Sequence, residues 1–146
     1  MKFAADRLAA HLTKTLAPVY LIAGDEPLIV AEALDAIRTA ARREGFEQRD
    51  LCVVERGFKW DELLAGADNL SLFATRRIVE LRLATPRPGD AGAKAIRAMI
   101  DRPDSDRLLL IATSKLDASA SKSVWVKTIE KSGVVVQVWP VKRSDL

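Results

Sequence analysis

Five short apolar runs, each parted from the next by a stretch of helical periodicity, constrain this chain more than any other feature. They are Val19–Ala23, Leu51–Glu55, Ile78–Leu83, Leu108–Ala112 and Val134–Trp139. The first, bounded by Pro18 and Gly24, is continuously apolar, and Leu108-Leu109-Leu110-Ile111-Ala112 is apolar throughout. Strands of that kind must be covered on both faces. Ile78-Val79-Glu80-Leu81-Arg82-Leu83 alternates enough to suggest an edge or half-covered strand. Pro140 stops the last run. Between the runs, Leu8, Leu12 and Leu16 recur every four residues, as do Val30, Leu34, Ile37 and Ala41 with one shorter step. Trp60, Leu63, Leu64 and Ala67 give a short helix, Ala93, Ile96 and Ile100 another, and Val124, Trp125, Thr128 and Ile129 a last one. Asp25 suits a helix cap, Pro27 a first turn, and Gly45 and Gly133 helix ends. Alternating strands and helices, with strands apolar on both faces, predict an α/β fold. The expected form is a five-stranded, mainly parallel sheet flanked by helices. Trp60, Trp125 and Trp139 occupy positions that fit its core.

The 146 residues are enough for one domain with a sizeable core, and 49% hydrophobic with 29% charged is a globular balance. The formal charge of +3 permits a nucleic-acid partner without demanding one. Cys52 is the only cysteine, so no internal disulfide forms, which suits a reducing compartment. Its setting, Leu51-Cys52-Val53-Val54, reads as core. His11, the only histidine, falls on the surface of the leading helix and gives Cys52 no base. Asp6 and Arg7 stand where a signal peptide needs an apolar run, and no stretch approaches a membrane span, so a cytoplasmic location is expected. The final Val141-Lys142-Arg143-Ser144-Asp145-Leu146 reads as the start of a linker. That divides the chain into a domain over 1–140 and a linker over 141–146.

A strand followed by Gly24 and a helix is the setting of a P-loop, G-x-x-x-x-G-K-[ST]. Counting from Gly24, the second glycine falls on Ile29, the lysine on Val30 and the hydroxyl residue on Ala31. Asp25 and Glu26 place negative charge where phosphates would sit, and Pro27 lacks a backbone donor. The third strand lacks the terminal acids that serve Mg²⁺, because Ala84 and Thr85 follow Leu83. Glu80, inside the strand, reads as an outward, paired residue. No Cys/His cluster suggests zinc and no Ser–His arrangement suggests acyl transfer, so no cofactor or metal is expected. Thr113-Ser114-Lys115 follows a buried strand at the end where α/β folds bind ligands. It supports a rival reading, a degenerate P-loop-fold nucleotide-binding or phosphotransfer enzyme. A turn leading to a helix cap over Asp117–Ser121 explains the same residues more simply.

Asn69-Leu70-Ser71-Leu72-Phe73, followed by Ala74-Thr75-Arg76-Arg77, falls between the end of a short helix and the start of a strand. Such junctions are normally polar. Leu72 and Phe73 are adjacent, and neighbours cannot both point inward on a strand, while on a helix they diverge by about 100°. The residues alone leave two readings open. Both plug the end of the core, or at least one faces outward and is covered by a partner.

Pro18-Val19-Tyr20-Leu21-Ile22-Ala23-Gly24-Asp25-Glu26-Pro27-Leu28 resembles the opening of the bacterial DNA polymerase III delta subunit family. Asn69 to Arg77 is similar to that family's clamp-contact element, and Lys127 to Trp139 extends the match. The resemblance covers essentially the whole chain but only the first domain of the family's protein. It implies an AAA+-like domain, a P-loop NTPase relative, that has lost ATP binding. It implies a non-catalytic clamp-loader subunit of the replicative holoenzyme. That subunit binds the sliding clamp, the beta subunit, and favours the opened ring for loading on primed DNA. The holoenzyme is a DNA-directed DNA polymerase. ATPase and delta-prime subunits would be partners through the full-length protein, with no membrane partner. The implied clamp contact is Leu72 and Phe73, with Leu70, Ser71, Arg76 and Arg77 beside them.

Overall fold

The computed structural model describes residues 1–70, 76–102 and 104–139, with backbone alone for 67–70. Among the described residues the strands are β1 (Lys2–Ala4), β2 (Val19–Ala23), β3 (Gln48–Val54), β4 (Arg77–Leu83), β5 (Arg107–Thr113) and β6 (Val134–Gln137). They form one sheet in the order β1-β6-β2-β5-β4-β3, and every pairing is parallel. The helices are α1 (Leu8–Lys14), α2 (Pro27–Arg43), α3 (Trp60–Leu70), α4 (Gly89–Asp101), α5 (Ala118–Ser121) and α6 (Val124–Ser132).

The sheet separates two cores, as strand alternation requires. Val19, Leu21 and Ala23 of β2 face a core completed by Ile96 and Met99 of α4 and by Trp125 and Ile129 of α6. Tyr20 and Ile22 face the other way, into a core with Leu8 of α1 and Leu34 and Ile37 of α2. The expected faces of α2 and α4 pack on these cores as their periodicity implies, but Val124 at the start of α6 is 60% exposed and Leu16 lies beyond the end of α1. Gly133 ends α6 against β2, and a Cβ there would lie 2.1 Å from the carbonyl oxygen of Val19. Pro27 stands in the first turn of α2, and Gly45 follows its end at φ +94°.

The structure corrects several expectations. The sheet has six strands, not five, because Lys2–Ala4 pairs with Val135–Gln137 of β6. A three-residue strand leaves no periodic signal. β4 is interior, between β5 and β3, and its alternation records a buried charge cluster instead of solvent. Glu80 points inward, with 0% exposure. Asp25 does not cap α2, where Glu26 is the N-cap without a side-chain bond. Instead its Oδ1 accepts the backbone N–H of Lys115 at 3.0 Å. Trp60 and Trp125 are core residues, but Trp139 is 52% exposed. Val138 takes the inward place beside Gly24, and the next side chain turns out. β3 is covered on one face only, where Cys52 and Val54 pack on the core, while Leu51 and Val53 are exposed. The residues expected to form a linker, Val141–Leu146, lie outside the described residues.

Glu80 is held by three guanidiniums. Arg38 of α2 donates Nε and Nη2 to its two oxygens at 2.8 and 2.9 Å. Arg49 of β3 donates Nε at 3.0 Å, and Arg82 donates Nε at 3.1 Å. Burial alone would raise the carboxyl pKa. The hydrogen bonds and charges of Arg38 and Arg49 override that and lower it from 4.5 to about 2. The cluster ties α2 to the sheet beyond the reach of the apolar core.

A carboxyl whose folded pKa is depressed stabilises the fold above its unfolded value and loses that contribution as pH falls. Urea stability should therefore be flat near neutrality and drop between 4.5 and about 2. Glu80→Gln should cost about 3–5 kcal/mol, because it strands the buried guanidinium of Arg38, and should abolish that part of the pH dependence. Gly133→Ala forces a Cβ onto Val19, so it should cost roughly 1–3 kcal/mol, as overpacking does. Calorimetric melting temperature and urea midpoints measure both.

Candidate functional site

The sequence places Ser71–Thr75 between α3 and β4, and those five residues, including Leu72 and Phe73, lie outside the described residues, as does the side chain of Leu70. What the structure gives is the frame on either side. α3 begins at Trp60, whose ring is buried and meets Phe58 edge-on at 4.9 Å between centroids. Gly92 of α4 lets that ring approach, since a Cβ there would lie 2.7 Å from Trp60 Cζ2. Leu63 and Leu64 pack on the core. The first turn of α3 is thereby seated on α4 through Trp60 and Gly92, with Leu63 and Leu64 packed on the same core.

On the other side, Arg76 and Arg77 have different tasks. Arg76 spreads across the surface at the amino-terminal edge of the sheet. Its Nη1 donates to the carbonyl of Glu44, its Nε lies 3.5 Å from Asp106, and its guanidinium carbon sits 5.5 Å from the Phe46 ring centroid. It remains 44% exposed. Phe46, Leu16, Pro18 and Leu108 line a cleft of about 450 Å³ beside it. Arg77 instead turns into the structure. Its Nη1 donates to Asp50 at 2.5 Å and its Nη2 to Gln48 at 3.1 Å, both on β3. Its backbone N–H donates to the carbonyl of Asp106 at 2.8 Å. Arg77 therefore fixes the start of β4 to both neighbouring segments, and its side chain is 10% exposed.

The carboxyl ends of the strands hold the turn tested against the P-loop pattern. The N–H of Gly24 donates to the carbonyl of Thr113 at 3.1 Å, and the N–H of Lys115 to Asp25. A Cβ on Gly24 would lie 2.4 Å from that of Val138, so the space above the turn is filled by side chain. Thr113 is buried, and its Oγ1 has no partner among the described residues. Asp117 caps α5, accepting the N–H of Ala120 at 2.7 Å, as the simpler reading of this segment expects. Arg87 pairs with the same carboxylate and, through that hydrogen bond first, lowers its pKa.

His11 and Cys52 lie on opposite faces of the sheet. The Nε2 of His11 is 2.8 Å from the Tyr20 hydroxyl, which also accepts the N–H of Ala17 at 2.8 Å. Burial and the nearby amino terminus lower the His11 pKa. Burial raises the Cys52 thiol, with help from Asp50. Both groups read as packing residues. No set of three metal-ligating side chains gathers among the described residues, and no helix there is long and apolar enough to cross a membrane. The Glu80 cluster was missed as a unit. Its one sequence signal was an acid in the middle of an otherwise apolar strand.

The chain is 27% identical over 141 residues to the DNA polymerase III subunit delta of Escherichia coli strain K12, which covers 97% of this chain and 41% of that protein. It is 29% identical over 129 residues to the subunit delta of Haemophilus influenzae, covering 86% of this chain and 36% of that one. It thus spans well under half the length of both relatives. In fold it is similar to a Bacillus subtilis DNA clamp loader delta protein, with a TM-score of 0.64 at 18% identity over 91% of this chain and 42% of that one. The family model of the DNA polymerase III delta subunit matches residues 20–138, a span from the second residue of β2 to the last core position after β6, and the chain belongs to that family.

Proposed function

We propose that this chain is the clamp-binding portion of a clamp-loader delta subunit, and that it works by grip without catalysis. The observation that carries the reading is the family match across residues 20–138, which includes the whole sheet except β1 and Val19. The solved relative is described as a DNA clamp loader delta protein, which agrees with it. Leu72 and Phe73, with Leu70 and Ser71 before them, are the grip. Arg76, exposed at the sheet edge, supplies a polar rim. Arg77 contributes by anchoring the strand that follows. Burying a Leu and a Phe is worth about 1.5–3 kcal/mol each. The ring-shaped sliding clamp is the partner, loading onto primed DNA is the outcome, and ATPase and delta-prime subunits join through the full-length protein. A cytoplasmic location suits that work.

ATP chemistry belongs to other subunits in this reading. The donors that would cradle a phosphate at Gly24 and Lys115 are engaged by the protein itself, and Asp25 and Glu26 repel an anion there. A phosphate-release assay should give no magnesium-dependent turnover above background. Turnover abolished by changes within Gly24–Ala31 would refute the non-catalytic reading.

The grip is tested with Leu72→Ala and Phe73→Ala combined. Clamp affinity should fall at least tenfold, a loss of about 1.4 kcal/mol, while the melting temperature stays within a degree or two, as for an exposed pair. A core pair would instead cost roughly 2–5 kcal/mol per residue on truncation. Binding to purified clamp and thermal unfolding of the same variant separate the two. Full clamp affinity in the folded variant removes these residues from the interface.

A further inference from the structure

We propose that the outer edge of β3, with its exposed Arg49, Leu51 and Val53 and the neighbouring Arg82 of β4, is a second docking surface that takes an extended acidic–apolar segment of another polypeptide. The inference does not rest on the clamp reading and concerns a different edge of the sheet. β3 ends the strand order, so its outer side has no strand partner among the described residues. It is seven residues long, longer than β2 or β6. A free edge of that length offers a ladder of N–H and C=O groups to an added strand.

The side chains say what kind of strand would fit. α2 packs mainly on β2 and β5, and reaches β4 through Arg38. Arg49, Leu51 and Val53 therefore present an uncovered face, Leu51 at 45% and Val53 at 53% exposure. Their neighbours on β4 in register are Ile78, Glu80 and Arg82. Alternate residues along a strand recur every ~7 Å on one face, so the surface reads arginine, leucine, valine in sequence. Natural edges are usually protected by charge or proline. Here only Arg49 serves on this face of β3.

Charge fixes the partner's chemistry. Arg38, Arg49 and Arg82 converge on one carboxylate, Glu80, and the second acid in the cluster, Asp35, binds Arg38 alone at 2.7 Å. Three guanidiniums thus meet two carboxylates. Arg82 gives Glu80 its Nε and remains 45% exposed, and Arg49 is 37% exposed. An incoming acidic side chain would complete the pairing, and aliphatic side chains would cover Leu51 and Val53. Nucleic acid would satisfy the arginines but not the two aliphatic residues or the free ladder.

The test uses three labelled peptides as long as β3, in which valine alternates with glutamate, lysine or serine. Fluorescence anisotropy should show the glutamate peptide binding at least tenfold more tightly than the lysine peptide. Hydrogen exchange should slow in β3 and in no other strand. Leu51→Ser with Val53→Ser should weaken binding at least tenfold with the circular dichroism spectrum intact. Arg82→Gln should weaken the glutamate peptide at least threefold and leave the serine peptide unchanged. The proposal is overturned if no peptide binds up to about 1 mM, if glutamate and lysine peptides bind alike, or if exchange slows elsewhere. Duplex DNA binding sensitive to Arg82→Gln, without peptide binding, would make this a nucleic-acid face. A dimer dispersed by Leu51→Ser with Val53→Ser would make it a contact between copies of the chain. Either result rejects the proposed occupant.

Discussion

β2 has no exposed side chain, and that constraint organises the rest of the chain. All five of its residues are buried, with Tyr20, Leu21 and Ile22 at 0% exposure. A strand in that position needs a strand on each side to satisfy its backbone and a helical layer on each face to exclude water. β5 and β6 supply the first, α2 and the α4–α6 pair the second. The fit is close enough that Gly133 has no room for a methyl group beside Val19. Chemistry and recognition are left to the strand ends, the loops and the far edge, where the packing is incomplete.

That incompleteness explains the Glu80 cluster. α2 reaches β5, but the sheet continues through β4 to β3. A carboxylate held by arginines from α2, β3 and β4 closes the gap with side chains that are apolar along their stems and charged at their tips. Such a cluster adds little net stability relative to a well-packed apolar core, since desolvation opposes the Coulomb attraction. It has a different use, because it forms only when α2, β3 and β4 are in register.

The sequence revealed most where local pattern and tertiary demand agree. Val19–Ala23 and Leu108–Ala112 are buried on both faces, as unbroken apolar runs require. The helical stripes on α2 and α4, and Trp125 and Ile129 of α6, face the cores that their spacing selects, while Val124 turns out to solvent. Sequence reading failed where a partner distant in the chain decides the outcome. Lys2–Ala4 becomes a strand only because β6 is beside it. Glu80 looked outward because alternation normally marks solvent, and nothing local to β4 shows Arg38 arriving from α2. Asp25 has the chemistry of a cap, but Lys115, ninety positions on, offers the better geometry. At the candidate site, the adjacency of Leu72 and Phe73 was legible. The division of labour between Arg76 and Arg77 was not, because alternation along β4 sets it and two adjacent arginines look alike on paper.

That division bears on how a hydrophobic grip could act on a ring. A ligand shifts an equilibrium only through its difference in affinity for the two states. Leu72 and Phe73 as a plug in a pocket present in both open and closed rings would bind without opening either. A bias needs a second contact held at a fixed offset from the plug, so the segment between them must be rigidly mounted. Seating α3 on α4 through Trp60 and Gly92 supplies one fixed end. Locking β4 through Arg77 to Asp50 and Gln48 supplies the other. Pre-organised mounts lower the ordering cost of association. The exposed guanidinium of Arg76 is fastened to Glu44 and Asp106 beside the cleft, so on this flank too a charged group is held at a fixed position.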